Sequence, residues 1–124
     1  MKCDIGDIIL VHNFEYPNGA KGSLHNFVVM DINKDELELV NLDYLCFLIS
    51  SNIDKNNDIN KNFPYNEPIS PTEENGLRDK GHVKCDILFS KIKEEDIIMR
   101  VGMITPIQYK RFIELYNESL KSDN

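Results

Sequence analysis

Apolar residues in the first half of the chain fall in short, dense runs bounded by turn residues, not at helical intervals. Gly6-Asp7 leads into Ile8-Ile9-Leu10-Val11, a β-branched apolar run that predicts a strand over 5–11. Residues 14–23 carry Pro17, Gly19 and Gly22 and read as a loop. A second strand is expected over 25–32, a tight turn at Asn33-Lys34-Asp35, and a third strand over 36–42. There Leu37, Leu39 and Asn41 alternate with Glu36, Glu38 and Val40, so strands two and three should form a hairpin. The run over 44–51 is almost wholly apolar, as in a central strand covered on both faces. Residues 54–62 are polar and unpatterned. A short strand is expected over 65–69, then a loop over 70–81 with one helical turn after Ser70-Pro71-Thr72-Glu73. A strand over 82–89, a turn or short helix over 90–96 and a last strand over 99–104 follow.

One segment changes period. Thr105-Pro106-Ile107-Gln108 combines a capping residue, a proline at the first helical position and a glutamine three residues after the cap. Tyr109, Phe112, Ile113, Tyr116 and Leu120 then recur at helical spacing. Several strands and one terminal amphipathic helix predict a mainly β domain: a small, strongly curved sheet or open barrel with the helix packed on it. At 124 residues the chain has room for a single domain over 1–124.

Composition narrows the setting. The hydrophobic fraction of 41% is that of a globular chain, and no apolar run is long enough to cross a bilayer. Acids and a glycine stand near the N-terminus, where a secretory signal needs an apolar stretch, so a cytoplasmic location without membrane association is expected. Cys3, Cys46 and Cys85 are odd in number and form no CxxC pair, which speaks against a disulfide framework or a zinc site. Cys46 and Cys85 read as buried strand residues. A formal net charge of −7 argues against coating nucleic acid by charge alone, though not against gripping a few phosphates in a groove.

The chemistry-bearing residues are few. There is no phosphate-binding glycine loop, no HExxH and no GxSxG, so neither a metal nor any other cofactor is expected. His25 should open a strand at the sheet's rim, where an imidazole could move protons near neutrality. An exposed loop-edge histidine is the commoner role for such a residue. Ser50 and Ser51 end the most apolar strand and could bind a phosphate oxygen or satisfy the backbone. His82 starts the strand over 82–89, with Lys84 two residues on and therefore on the same face. His12 has no evident partner. Asp4, Asp7, Asp31, Asp43 and Asp86 are scattered at strand ends without metal-ligand spacing and read mostly as turn formers or solvated charges.

The order of these pieces resembles the MazF/PemK-like family of toxin endoribonucleases. Gly6-Asp7-Ile8-Ile9 is similar to that family's opening strand, followed by a Gly/Ser loop. His25-Asn26-Phe27-Val28-Val29-Met30 stands where the family has Arg-Pro and an apolar strand. Ile49-Ser50-Ser51 resembles its strand ending in hydroxyl residues, Val83-Lys84-Cys85-Asp86 its late strand with an acid, and 102–105 with the final helix its C-terminal end. The resemblance implies an SH3-like barrel (MazF/PemK/CcdB-like), a homodimer, metal-independent cleavage of single-stranded RNA, and inhibition by a cognate antitoxin protein. His25 takes the place of the family's catalytic arginine and Ser50, with Ser51 beside it, that of its hydroxyl residue. His82 is the candidate second proton-transfer group. Lys21, Lys84, Phe14, Tyr16 and Phe63 are the candidates for binding RNA. The family's glutamine after the late acid is absent, since Ile87 stands there. A histidine is a weaker phosphate clamp than an arginine. The rival expectation is therefore an inactive barrel that binds RNA or a protein target, as gyrase-poisoning toxins of this fold do.

Overall fold

The computed structural model describes residues 1–34, 42–51 and 63–122. Its elements, in order, are β1 (Asp7–Glu15), β2 (Lys21–Lys34), β3 (Leu42–Ser50), β4 (Asn66–Ile69), β5 (Gly81–Lys84), β6 (Phe89–Lys93), a 3-10 turn (Glu94–Asp96), β7 (Ile97–Met103) and α1 (Pro106–Ser122). The strand expected over 36–42 and the polar run 54–62 lie outside the described residues, apart from Leu42, where β3 begins. No described helix is long and apolar enough to cross a membrane.

Every strand pairing is antiparallel, in the order β4-β5-β3-β2-β1-β7, with β6 also paired to β3. Five strands, β7-β1-β2-β3-β6, curl into a small SH3-like barrel, and the 3-10 turn leads from β6 into β7. Register shifts in β1 against β7 and in β2 against β3 supply the bulges such curvature needs.

The apolar runs are continuous because the sheet is covered on both sides. Ile9, Val11, Phe27, Val29, Tyr44, Cys46 and Leu48 face the barrel interior with Phe14, Phe89 and Ile92. Their neighbours Ile8, Val28, Met30, Phe47 and Ile49 face the other way, against Phe112 and Leu115 of α1. The expectation of a doubly covered central strand therefore holds for β3. Few polar groups penetrate. The Tyr44 hydroxyl accepts the Cys3 backbone N–H at 3.1 Å, and the Tyr109 hydroxyl donates to the Met30 carbonyl at 3.0 Å, tying α1 to the bulge in β2. Asp7 is not a solvated charge: its carboxylate is buried, accepts the Asp4 N–H at 2.8 Å and pairs with Arg100 at 2.9 Å, fastening β7 to β1.

The helix starts as the sequence predicts. Thr105 N–H donates to Gln108 Oε1 at 2.9 Å, and Gln108 N–H donates back to Thr105 Oγ1 at 3.1 Å, a reciprocal capping box. Its buried face differs at one end. Leu120 is 51% exposed, while Leu115 joins the core and the Ser119 hydroxyl is buried, donating to the Tyr116 carbonyl at 2.7 Å.

Two other expectations change. Residues 14–23 are not a loop. They form the ends of β1 and β2 around a turn over 16–20, so His25 stands inside β2 and not at its start. The expected strand over 82–89 is two strands, because β3 offers one edge to two partners. β5 takes Ile49 and Ser50, β6 takes Asp43, Tyr44 and Cys46, and the chain turns at 85 and 86 between them. The helical turn expected after Ser70-Pro71-Thr72-Glu73 is there as a single turn that is not continued: Gly76 N–H donates to the Thr72 carbonyl at 3.1 Å, while Thr72 N–H donates to Asn75 Oδ1 at 2.9 Å and Asn75 N–H to Thr72 Oγ1 at 3.0 Å.

Two outcomes are expected. Thr105→Ala removes one arm of the capping box and should destabilise the protein by about 1 kcal/mol, read from the urea midpoint. All three cysteines are buried and free, and burial raises the thiols of Cys46 and Cys85 far above their ordinary range, with that of Cys3 also raised. They should resist a thiol reagent at pH 8 in the native state, and three should titrate after unfolding; rapid labelling of folded protein would contradict the packing.

Candidate active site

The β1–β2 hairpin is built around a contact that any side chain at position 22 would block. Phe14 and Gly22 are cross-strand partners, and a Cβ on Gly22 would lie 2.2 Å from the Phe14 ring. The ring therefore lies over the glycine, filling the end of the barrel. From there it meets Phe27 edge-on at 4.9 Å, Tyr16 at 5.3 Å and the His25 imidazole at 5.9 Å between centroids. The turn is closed by Tyr16 N–H to the Ala20 carbonyl at 2.8 Å, and a Lys21–Glu15 ion pair of 3.0 Å spans its base.

Register then assembles a row of side chains. Asn26 pairs with Ile49, so one step further sets His25 beside Ser50. Ser50 in turn pairs with His82. Residues directly opposite in an antiparallel sheet share a face, with Cβ atoms about 5 Å apart. His25, Ser50 and His82 thus lie side by side across β2, β3 and β5. The face is the one that carries Phe14 and Phe27. His25 and Ser50 are half-buried, and His82 is 8% exposed. Neither Ser50 nor His82 is without an interaction partner. Lys84 is two residues beyond His82 on the same face, paired with Asn66 of β4.

The remaining sequence candidates divide. Phe14, Tyr16 and Lys21 line one cleft of about 440 Å³ with Phe89 and Lys91, at the hairpin tip. Phe14 is 3% exposed, so it is a core residue with no open face for a base, whereas Tyr16 is half-buried at the cleft wall. Ser51 does not join Ser50: alternation turns it to the opposite face, where it lines a second cleft of about 490 Å³. Phe63 is 52% exposed in the turn before β4 and lines neither cleft.

The second cleft contains residues that the sequence reading passed over: Asn26, Arg78, Asp79 and Met99. Arg78 and Asp79 belong to a loop that is firmly held. Asn75 is buried, donates through Nδ2 to the Ser70 carbonyl at 2.9 Å and accepts the Leu77 N–H at 3.0 Å. Gly76, at φ +66°, lies so close to the Val101 carbonyl that a Cβ would approach it to 2.2 Å. The one sequence signal that would have raised Arg78 is the scarcity of arginine. Among the described residues no group of three or more His, Cys, Asp or Glu is placed to hold a metal ion.

Among solved structures the chain is similar to the Mycobacterium tuberculosis toxin MazF-mt6, at 15% sequence identity and a TM-score of 0.57, over 90% of this chain and 96% of that one. The fold is MazF-like. No family model and no curated protein matches the sequence. At this identity the likeness extends to the fold, with its antiparallel sheet and C-terminal helix, and the MazF-like barrel is the frame on which the His25–Ser50–His82 row stands.

Gly22→Ala is expected to displace the Phe14 ring. It should cost about 1–3 kcal/mol of stability, the usual range for overpacking, and shift the NMR signals of the His25 ring while leaving those of His12 in place. Unchanged His25 signals would show that Phe14 does not hold the imidazole.

Proposed function

We propose that the chain is a toxin-like, metal-independent endoribonuclease that cleaves single-stranded RNA. The observation that carries this reading is the cross-strand row: two imidazoles flanking a hydroxyl on one face of a MazF-like sheet. Cleavage by the 2′-hydroxyl needs three services: a base to take its proton, an acid to protonate the departing 5′ oxygen, and donors to the phosphate oxygens. The 2′-O–P bond forms as the P–O5′ bond breaks. The proton leaves the 2′-hydroxyl for one imidazole and reaches the 5′ oxygen from the other, giving a 2′,3′-cyclic phosphate and a 5′-hydroxyl. His25 and His82 are the acid–base pair in this scheme. Ser50, between them, donates to a non-bridging oxygen, and Lys84 adds positive charge on the same face.

This arrangement accounts for a site without the family's arginine. The clamp is weaker, and proton transfer carries more of the catalysis. Tyr16 and Phe63 offer aromatic surface for bases, and Lys21 and Lys91 offer charge along the hairpin cleft. The same reading makes the protein a cytoplasmic homodimer restrained by a cognate antitoxin.

The test is incubation of purified protein with mixed-sequence RNA in EDTA. Cleavage products should end in 2′,3′-cyclic phosphate. His25→Ala and His82→Ala should each lower kcat/KM by about 100-fold or more, Ser50→Ala by about 10-fold, and kcat/KM should be bell-shaped in pH. Intact RNA, or cleavage indifferent to both histidines, overturns the proposal in favour of a barrel that binds without cutting.

A further inference from the structure

The sequence holds three arginines. Arg100 is paired with the buried Asp7 at 2.9 Å, and Arg111 with Glu67 at 3.2 Å. Among the described residues no carboxylate pairs with Arg78. It stands on the wall of the 490 Å³ cleft, together with Leu24, Asn26, Ser51 and Met99. Leu24 is 51% and Met99 47% exposed, so the aliphatic surface of the cleft is open. The Asn75 hydrogen bonds and the Gly76–Val101 contact hold the loop that carries Arg78 against β7.

The cleft adjoins the candidate active site, and His25 itself is among the residues that line it. Asn26 follows His25, Ser51 follows Ser50, and Gly81 precedes His82, so β2, β3 and β5 carry both the row and the cleft, which meet at His25. Its chemistry suits one nucleotide. Leu24 and Met99 form apolar walls for a base, the Asn26 amide can both donate to and accept from a base edge, and a guanidinium presents a planar fork to phosphate. A guanidinium that no described carboxylate pairs, even with Asp79 on the same cleft wall, on a chain of net charge −7 marks a place that selects an anion. We propose that this cleft binds a nucleotide flanking the cleaved position of the single-stranded RNA, with Arg78 on its phosphate and its base between Leu24 and Met99. The proposal rests on the RNA-cleaving reading for the identity of the ligand.

The experiment measures binding, so it is independent of cleavage. A fluorescent single-stranded oligonucleotide, 2′-O-methylated at every position, cannot react and is titrated by anisotropy at several salt concentrations. Arg78→Ala should weaken binding about tenfold and reduce the salt slope by about 0.7, one phosphate contact. Arg78→Lys should keep the slope and lose part of the affinity, and Lys110→Ala, on the exposed face of α1, should change neither. Thermal melting of each variant separates lost binding from lost fold. Wild-type affinity and slope in Arg78→Ala overturn the proposal, whether or not the protein cleaves RNA. So does a loss confined to a labelled Glu/Leu peptide, which would make the cleft a peptide site. If Arg78→Ala loses oligonucleotide binding while the wild type cleaves no RNA, the cleft proposal stands and the cleavage reading falls.

Discussion

Three adjacent strands, β1, β2 and β3, are buried on both faces, and the rest of the structure depends on how their register is held. In a sheet with one wet face, a slip of one residue carries the apolar set into water and is penalised at once. Here both alternating sets are apolar, so hydrophobicity alone discriminates poorly between registers. Shape and polar pairing must do so. Phe14 fits only opposite a residue without a Cβ, which places it against Gly22. Asp7 must reach Arg100, Tyr44 must reach the Cys3 N–H, and Asp43 must reach Lys93. Each satisfies a group that a slipped register would leave unpaired, some of them buried. Together these contacts set β1 against β2 and β7, and β3 against the N-terminal segment and β6. Register, in turn, is what sets His25 beside Ser50 and Ser50 beside His82.

The same constraint explains what could be read without a structure. The capping box at Thr105 and the apolar runs of β1, β2 and β3 are local signals, and each marks a real element. The turn residues Pro17, Gly19 and Gly22 were read as a loop because glycine and proline break patterns. Gly22 is there to admit an aromatic ring, which only the cross-strand partner reveals. The division of 82–89 into β5 and β6 was hidden for a related reason: nothing in those residues records that one edge of β3 serves two partners. Leu120 satisfied helical spacing but falls beyond the surface that the sheet covers, where Ser119 turns inward instead.

For the site, residue type and position mark His25 and Ser50 as ordinary edge residues, and only the family resemblance singles them out, with His82 as a weaker companion. Their alignment is a long-range property, and so is the separation of Ser51 from Ser50 by simple alternation. Arg78 was illegible because a loop arginine has no periodicity to betray it. It becomes visible only by subtraction, once Arg100 and Arg111 are seen to be committed to Asp7 and Glu67.

On the RNA-cleaving proposal, a histidine at position 25 in place of a permanently charged side chain has a cost that the charge distribution sharpens. A guanidinium holds phosphate at any pH near neutrality, whereas an imidazole does so only when protonated, and then it cannot also accept a proton. If one imidazole of the row serves as base, it contributes no charge to binding. On a chain of net charge −7, long-range attraction for RNA is absent, so affinity must come from a few local contacts. Lys21 is largely cancelled by Glu15, 3.0 Å away. On the RNA-cleaving proposal, Lys84 on the face of the row and Arg78 in the cleft that His25 also lines are the cations that would hold a phosphate chain. On that proposal the chemistry and the grip are carried by different residues, where an arginine at position 25 would combine them.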